Sequence, residues 1–499
     1  MTVNSAMVQD EMMQQREAPP IIVASGNRWG GLAVASMGIF LAVLSGSLVS
    51  VALPTIGRTL HSSATGLEWT IDAYILVYAS LMIAGGVIGD RWGRRNAFAL
   101  GFVIFGIGSL AAGLAPTSGL LIAARAMQGI GPALLTPASV NIVRWLFDDP
   151  RERATALGLW SLASGLAMAS GPLIGGLIVD SVGWRGIFLL NIPIIIICLI
   201  AVKIFMPQPP RVLAEHRFDV VGAILSVIAV GAVTFAIIEG QSLGWGSPVV
   251  IGSALLGVLV MLGFLWWERR VPGPLIQLNL FRSPPFAAAT LSGMALFFSF
   301  IGAIVYFSAY FQQVQGLSAL RAGINVSALG IAFAITAPLS GYLVGRIGPR
   351  WPLVGGMALT TVAMFMLLRL EVDTPISAIW WNFALVGAGF GISLTPMTTT
   401  ALASVPAERA GMAGAILNAL RQFGQVLGVA VLGAITYSHL GNVNVAGPRL
   451  NRADQFLFMR GLNSALFVSA MTLAVMTLVA WILFWRYAHR PHESLPGID

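Results

Sequence analysis

The sequence predicts an all-α, polytopic membrane protein, and three observations lead to this fold class: the composition, a series of long apolar runs, and a weak internal repeat. Of the 499 residues, 57% are hydrophobic and only 10% are charged. A soluble globular protein carries about 25% charged residues, so this chain could not cover soluble domains of its length. The mean hydropathy of +0.84 agrees with this interpretation.

The apolar runs predict the number of membrane helices. A helix that crosses the hydrocarbon core needs about 20 apolar residues. Fourteen runs of about this size stand between turn and charge clusters, at 31–53, 68–89, 96–115, 120–144, 155–178, 186–206, 219–240, 248–267, 286–311, 320–345, 351–370, 376–402, 410–437 and 462–485. Because fourteen is even, both termini are expected on the same side.

The basic residues predict which side that is. If the N-terminus is inside, the inner segments hold 19 of the 28 Lys and Arg residues and the outer loops hold seven. Cytoplasmic loops carry such an excess, so we expect both termini in the cytoplasm and the chain in the cytoplasmic (inner) membrane. The last two, Arg125 and Arg421, fall inside helices. The longest predicted outer loop, 438–461, is either a small external cap or a plain connector.

An internal repeat divides the chain into halves. The stretch GGVIGDRWGRR at 85–95 follows the second run, and SGYLVGRIGPR at 340–350 follows the tenth, with Gly345 in place of Asp90. Internal repeats are typical of secondary transporters, whose binding site lies between the halves. The predicted parts are a cytoplasmic tail at 1–28, a six-helix bundle at 29–206, two inserted helices at 207–285, a second six-helix bundle at 286–485 and a tail at 486–499.

Several function classes are excluded. The only cysteine, Cys198, lies in an apolar run, so there is no intramolecular disulfide or cysteine metal site. The five histidines show no metal-ligand spacing, and no Walker A sequence is present. Cytoplasmic arginines explain the net charge of +8, so no nucleic acid partner is expected. The residue clusters of an integral membrane enzyme and the repeated rings of a channel are also missing.

Three motifs carry more specific chemistry. The loop after the second helix combines glycines that permit a tight turn with an acid and arginines that can form ion pairs: Gly86, Asp90, Arg91, Gly93, Arg94 and Arg95. An arginine inside a span marks a functional site or a buried ion pair, and Arg125 lies in LIAARAMQGIG at 121–131. The fifth helix carries a run of small residues that allows close packing and a bend, with Gly165, Gly171, Pro172, Gly175 and Gly176.

With these motifs in this order, the chain resembles the major facilitator superfamily, and within it the fourteen-helix drug:proton antiporter family that includes the quaternary-ammonium efflux pumps. The stretches at 184–193 and 418–424 are similar to the same family. The resemblance implies two six-helix bundles, a role for Arg125 in proton transfer, and an antiporter motif on the fifth helix. It also implies that Asp90 faces the N-terminus of helix 13, where a helix dipole favours a carboxylate. Each motif also has a simpler interpretation. The loop arginines could serve only to set the membrane topology, Arg125 could form a structural ion pair, and the small residues of the fifth helix could serve only packing.

The first two helices show where the coupling proton is expected. The family commonly carries an acid in an LDxTxxNVALP-like pattern, but residues 44–54 read LSGSLVSVALP. The second helix contains EWTIDAY at 68–74, which resembles the WxxDxY stretch of the quaternary-ammonium pumps. We therefore predict Asp72 as the coupling acid, roughly 6–8 Å into the span; an interfacial aspartate is the alternative. Glu239 and Asp219 are predicted to be structural.

The remaining candidates concern the substrate. Large apolar walls with few polar anchors suit lipophilic ligands, although aromatic residues at helical spacing also serve packing. The candidate substrate-binding residues are Ser45, Ser47, Trp69, Phe297, Phe300, Tyr306, Asn325, Asn418, Arg421 and Gln422. With no acid at its depth in its own helix, Arg421 suggests that the pocket accepts neutral or anionic compounds as well as cations.

The expected function is proton-coupled export of lipophilic small molecules by alternating access. The energy source is the proton-motive force, and no cofactor is implied. The expected partners are substrates, protons and membrane lipids, the expected state is a monomer, and a Gram-negative host could add a periplasmic adaptor. Two alternatives stay open: a dedicated exporter of one endogenous metabolite, such as an antibiotic or a siderophore, and a lipid transporter on the same fold.

Overall fold

A computed structural model describes residues 27–147, 149–206, 219–405, 410–440 and 449–488. These residues form helices and short connections, with no strand among them. Within the described part, thirteen helices are long and apolar enough to cross a membrane. A further long helix, Ala64–Trp92, carries the two acidic residues Glu68 and Asp72 near its beginning. The structure confirms the predicted all-α, multi-pass fold.

The helices are numbered here in chain order. They are α1 Arg28–Leu60, α2 Ala64–Trp92, α3 Arg94–Leu114, α4 Ser118–Leu146, α5 Pro150–Val182, α6 Gly186–Phe205, α7 Val220–Ser242, α8 Pro248–Glu268, α9 Pro284–Val314, α10 Ala319–Ile347, α11 Arg350–Arg369, α12 Ile376–Ala403, α13 Ala410–Tyr437 and α14 Arg452–Ala488.

Several helices begin earlier than their apolar runs because polar caps extend them. The Ser63 side chain accepts a hydrogen bond from the Gly66 N–H, so α2 begins at residue 64 rather than 68. Asn451 in the same way accepts from the Asp454 N–H at 2.9 Å, and α14 begins at Arg452 rather than 462. The predicted outer loop 438–461 was therefore too long. An apolar run marks only the part of a helix that lies in hydrocarbon.

The earlier start of α14 creates an ion pair on the surface. The Arg452 Nη1 donates to Asp373 Oδ1 at 2.8 Å, from the first turn of α14 to the connection before α12. This hydrogen bond lowers the pKa of the exposed Asp373 carboxyl below its ordinary value. The pair joins two elements of the second half.

The internal repeat is visible in the backbone. Gly93 separates α2 from α3 with φ of 104°, and Gly348 separates α10 from α11 with φ of 75°. Glycine adopts positive φ without the steric penalty of a Cβ atom. Both copies of the repeat therefore end one helix and turn at once into the next.

The two halves pack in matching patterns. In the first half α1 lies against α5 and α2 against α4; in the second half α9 lies against α13 and α10 against α12. Two seams join the halves: the α5–α10 seam and the α2–α13 seam. The inserted helix α7 contacts both α2 and α13, and α8 packs on α7.

The halves are packed more closely at one end than at the other. We call the end where α1 begins the N-terminal face and the end where α1 finishes the far face. At the far face, Gln312 Nε2 on α9 donates to the Val51 carbonyl on α1 at 2.9 Å. Residues 319–330 of α10 are mostly buried, whereas 331–347 are mostly exposed or partly exposed. The packing around α10 is therefore tighter at the far face than towards the N-terminal face.

Candidate functional site

Arg125 is held inside the first half by neutral acceptors. Its Nε donates to the Thr70 carbonyl at 2.9 Å, and its Nη1 donates to Ser45 Oγ at 3.1 Å and to Gln128 Oε1 at 2.6 Å. The guanidinium carbon lies 4.1 Å from the centre of the Tyr74 ring, at a distance that allows a cation–π interaction. Arg125 thus ties α1, α2 and α4 together.

The same network reaches two further helices. Gln128 Nε2 donates to Ser109 Oγ on α3 at 2.7 Å, and Asn191 Nδ2 on α6 donates to the same oxygen at 3.3 Å. All of these side chains are buried. Loss of one member would leave buried polar groups unpaired, which costs about 1–3 kcal/mol per group. The network therefore specifies how this half packs.

Asp72 lies on a different side of α2 from Arg125. Thr70 and Tyr74 face the arginine, and a residue midway between them is rotated by about 200° from either. The Asp72 carboxyl is 0% exposed, and neither of its oxygens has a hydrogen-bond partner. Asp72 lies eight residues after the start of α2, roughly 12 Å along the helix. The two predicted coupling residues are not paired in this conformation.

Glu68 is the site residue that sequence reasoning missed. It lies one turn before Asp72 on the same face of α2 and is 5% exposed. A Cβ atom on Gly433 of α13 would collide with both the Glu68 carboxyl and the Tyr306 hydroxyl. The sequence placed Glu68 at the beginning of the second apolar run, at the predicted membrane boundary, so it was not singled out as a site residue. The i, i+4 spacing of two acids was the available signal.

Two tyrosines of the second half complete this part of the α2–α13 seam. The Tyr306 hydroxyl donates to the Val429 carbonyl at 2.6 Å. The Tyr437 ring lies 5.9 Å from the Tyr306 ring, nearly perpendicular to it. The seam thus combines two carboxyls from α2 with phenols from α9 and α13.

The inserted helix α7 covers the outer side of this seam. Trp69 Nε1 donates to Glu239 Oε1 at 3.1 Å, and Gln241 Nε2 donates to the Ala434 carbonyl of α13. Trp69 therefore faces α7. Asp219 accepts from the Gly222 N–H at 2.8 Å and caps the beginning of α7.

The small residues of α5 form the α5–α10 seam. Added Cβ atoms at Gly176, Gly323 and Gly330 would collide with backbone atoms of the facing helix. Gly165 faces the Phe333 ring of α10, and Pro172 supplies the backbone that faces Gly323.

Another side of α5 packs against α1. There, Gly171 and Gly175 lie against Ser47 and Leu48. The predicted antiporter motif is therefore where α5 contacts both α1 and α10.

Arg421 is the second arginine inside a helix. Its Nη2 donates to Thr398 Oγ1 at 2.7 Å and its Nη1 donates to Asn418 Oδ1 at 3.2 Å. The guanidinium carbon lies 5.7 Å from the Phe297 ring centre, and its Nε has no hydrogen-bond partner. The next residue, Gln422, is hydrogen-bonded to Tyr78 of α2. These residues line α13 where the two halves meet.

Other predicted residues have packing contacts. The Phe300 ring stacks on Phe390 at 4.1 Å and is buried, and Asn325 is buried on α10. In the first turn of α3, Arg95 Nη2 donates to the Lys203 carbonyl at 3.2 Å. The Asp90 side chain, with its expected contact to the start of α13, lies outside what the structure describes.

Two repeated halves that meet along two seams are an architecture typical of α-helical membrane transporters. The sequence matches the model of the Major Facilitator Superfamily over residues 35–429, and the chain belongs to this superfamily. It is a transporter and not an enzyme, as predicted.

Individual relatives agree with this family. The chain is 33% identical over 506 residues to the multidrug resistance protein Stp of Mycobacterium tuberculosis (strain CDC 1551 / Oshkosh), with 93% of each chain covered. It is 34% identical to the tetracenomycin C resistance and export protein of Streptomyces glaucescens, with 84% of this chain and 78% of that protein covered. The predicted resemblance to drug-efflux transporters is confirmed.

A solved structure supports the fold. A bacterial homologue of the human lysosomal transporter Spinster, in an inward-facing and unoccupied conformation, has a TM-score of 0.68 and 17% sequence identity. The similarity covers 92% of this chain and 98% of that one. At this level of identity the similarity concerns the fold alone.

Proposed function

We propose that the protein exports lipophilic, drug-like small molecules across the cytoplasmic membrane in exchange for protons, as a monomer, with its N-terminal face in the cytoplasm. The observation that carries this proposal is Asp72, a buried carboxyl without a partner at the seam between two moving halves. The names of the resistance and export proteins to which the chain is similar support the substrate class. The proton-motive force is the energy source, and no cofactor takes part.

The position of Asp72 suggests how protonation is coupled to movement. A charged carboxylate that is buried without a partner is costly, and protonation removes that cost. Protonated Asp72 therefore favours the closed far face, and ionised Asp72 favours its opening. A ligand shifts such an equilibrium only by binding one state better than the other. Proton uptake from outside would return the carrier to the cytoplasmic side, and proton release with substrate binding would open the far face.

The surroundings of Arg421 suggest the charge of the substrate. Its Nε has no partner, and no carboxylate among the described residues forms an ion pair with it. Ser45 and Ser47 stand where related pumps carry an acid and a hydroxyl. These features favour neutral and anionic substrates beside cations. They also favour the second candidate function, the dedicated export of one anionic metabolite.

The test uses proteoliposomes with an imposed pH gradient and a panel of lipophilic cations, neutral drugs and organic anions. Wild type and Asp219→Asn should dissipate the gradient when a substrate is added, because asparagine also caps a helix well. Asp72→Asn should move fewer protons per substrate than the wild type. It should still exchange internal for external substrate, since that exchange needs no net proton movement. If no compound dissipates the gradient with the wild type, drug–proton exchange is wrong.

A further inference from the structure

We infer that Glu68 is a second proton-binding carboxyl, which shares one site with Asp72 at the α2–α13 seam and carries a proton of its own through the transport cycle. This inference rests on the proposed function and deepens it. It adds Glu68 as a second proton-binding group and predicts one more proton per transport cycle than Asp72 alone would carry.

The two carboxyls lie on one face of one helix. Residues four positions apart on a helix have Cβ atoms about 5–6 Å apart. Glu68 and Asp72 are both buried, and no salt bridge to either is formed among the described residues. Two negative charges at this separation repel each other strongly when water is excluded. The pair therefore needs a positive charge from elsewhere.

The groups around the pair do not supply that charge. The carboxyls nearest to Glu68 are Asp72 on its own helix and Glu239 on α7. From the second half, Tyr306 of α9 and Tyr437 of α13 face it. Arg125 on α4 bonds to the Thr70 carbonyl and stacks on Tyr74, on the other side of α2. Among the described residues, the titratable groups that face Glu68 are therefore acidic or phenolic.

The side of Glu68 that faces α13 is closely packed. The Glu68 carboxyl and the Tyr306 hydroxyl both press against Gly433, where even a methyl group would collide. A bound proton removes the charge without needing room.

The contact also depends on conformation. Glu68 belongs to the first half, whereas Gly433 and Tyr306 belong to the second. When the far face opens, Glu68 loses both neighbours and meets water, in which a charged carboxylate is stable. The same movement that exposes Asp72 therefore exposes Glu68, and the site can exchange two protons with the outside.

The first experiment records infrared spectra of the purified transporter in detergent while the pH is changed. Protonated carboxylic acids give a C=O stretching band that is separate from the amide bands. Glu68→Gln should remove one component of this band, Glu68→Asp should keep a displaced component, and Glu239→Gln should leave the Glu68 component in place. A band that is unchanged in Glu68→Gln, in a sample that remains monodisperse, overturns the inference.

The second experiment counts protons per exported ethidium cation in proteoliposomes, with the membrane potential clamped. Glu68→Gln should lower the ratio by one proton, and Glu239→Gln should leave it at the wild-type value. A wild-type ratio in Glu68→Gln overturns the transport of this proton. If the wild type moves no protons at all, the proposed function fails, while the infrared band still decides whether Glu68 binds a proton.

Discussion

The two seams that join the halves occupy equivalent positions in the repeat. One is formed by contacts between backbones, and the other includes ionisable side chains. In the α5–α10 seam, glycines bring two backbones into contact, and the facing groups at Gly323 and Gly330 are main-chain atoms. In the α2–α13 seam, Gly433 makes room for a carboxyl and a phenol. One packing geometry thus serves two purposes. The first seam holds the far face closed by close contact, and the second is the one that we propose to respond to protons.

The physical difference lies in what closure requires of each seam. Close packing of small residues gains van der Waals contact, which is independent of pH. Closure of the α2–α13 seam removes Glu68 and Asp72 from water, and this is costly as long as they are charged. Protonation should therefore control the second seam while the first contributes a constant attraction.

The largest effect is expected from Gly330→Ala in the α5–α10 seam. The added methyl group would meet the Ala169 backbone, which cannot move aside as a side chain can. Overpacking of this kind costs about 1–3 kcal/mol, so the melting temperature in detergent and the rate of substrate efflux should both fall. Gly345→Ala on the same helix is the control, because its new methyl group meets open space. Equal melting temperatures for the two variants would contradict the close-contact interpretation.

A smaller loss of stability is expected from Gly433→Ala in the α2–α13 seam. Its methyl group meets the ends of Glu68 and Tyr306, which can rotate away, so the cost should be about 1 kcal/mol, at the low end for overpacking. The displaced carboxyl should nevertheless alter the pH dependence of proton exchange, measured as dye quenching across a pH series. Gly414→Ala on α13 is the matched control, with an ordinary contact of 3.5 Å to Leu402. A pH profile that moves equally in both variants would show that the seam is not the sensor.

Most of the fold could be predicted from the sequence, because a membrane imposes a simple rule on helices. Every spanning segment must be apolar and about 20 residues long, and the repeat at 85–95 and 340–350 marked the two halves. Helix ends were less predictable. The apolar run gave no sign that Ser63 would begin α2 one turn early, and this error concealed Glu68.

The sequence identified several residues of the site, but it did not predict how they are arranged in space. Arg125 and Asp72 both proved to be buried, as the cost of placing charge in a span suggests. Their separation by α2 depends on which face of that helix meets which neighbour, and no pattern within α2 specifies this. The contact between Glu68 and Tyr306 joins positions more than 200 residues apart, so only the folded chain brings them together.

The smallest effect is expected from Asp180→Asn, at the far-face end of the α5–α10 seam. Asp180 Oδ2 accepts from the Leu320 N–H in the first turn of α10 at 3.0 Å, where a negative charge is favoured by about 0.3–1 kcal/mol. Asparagine can still accept that hydrogen bond, so only the charge is lost. The melting temperature should fall slightly at low salt, and the difference from wild type should shrink at high salt because exposed charges are screened. A loss larger than that of Gly330→Ala would mean that charge rather than backbone contact holds this seam, and the distinction between the two seams would then fail.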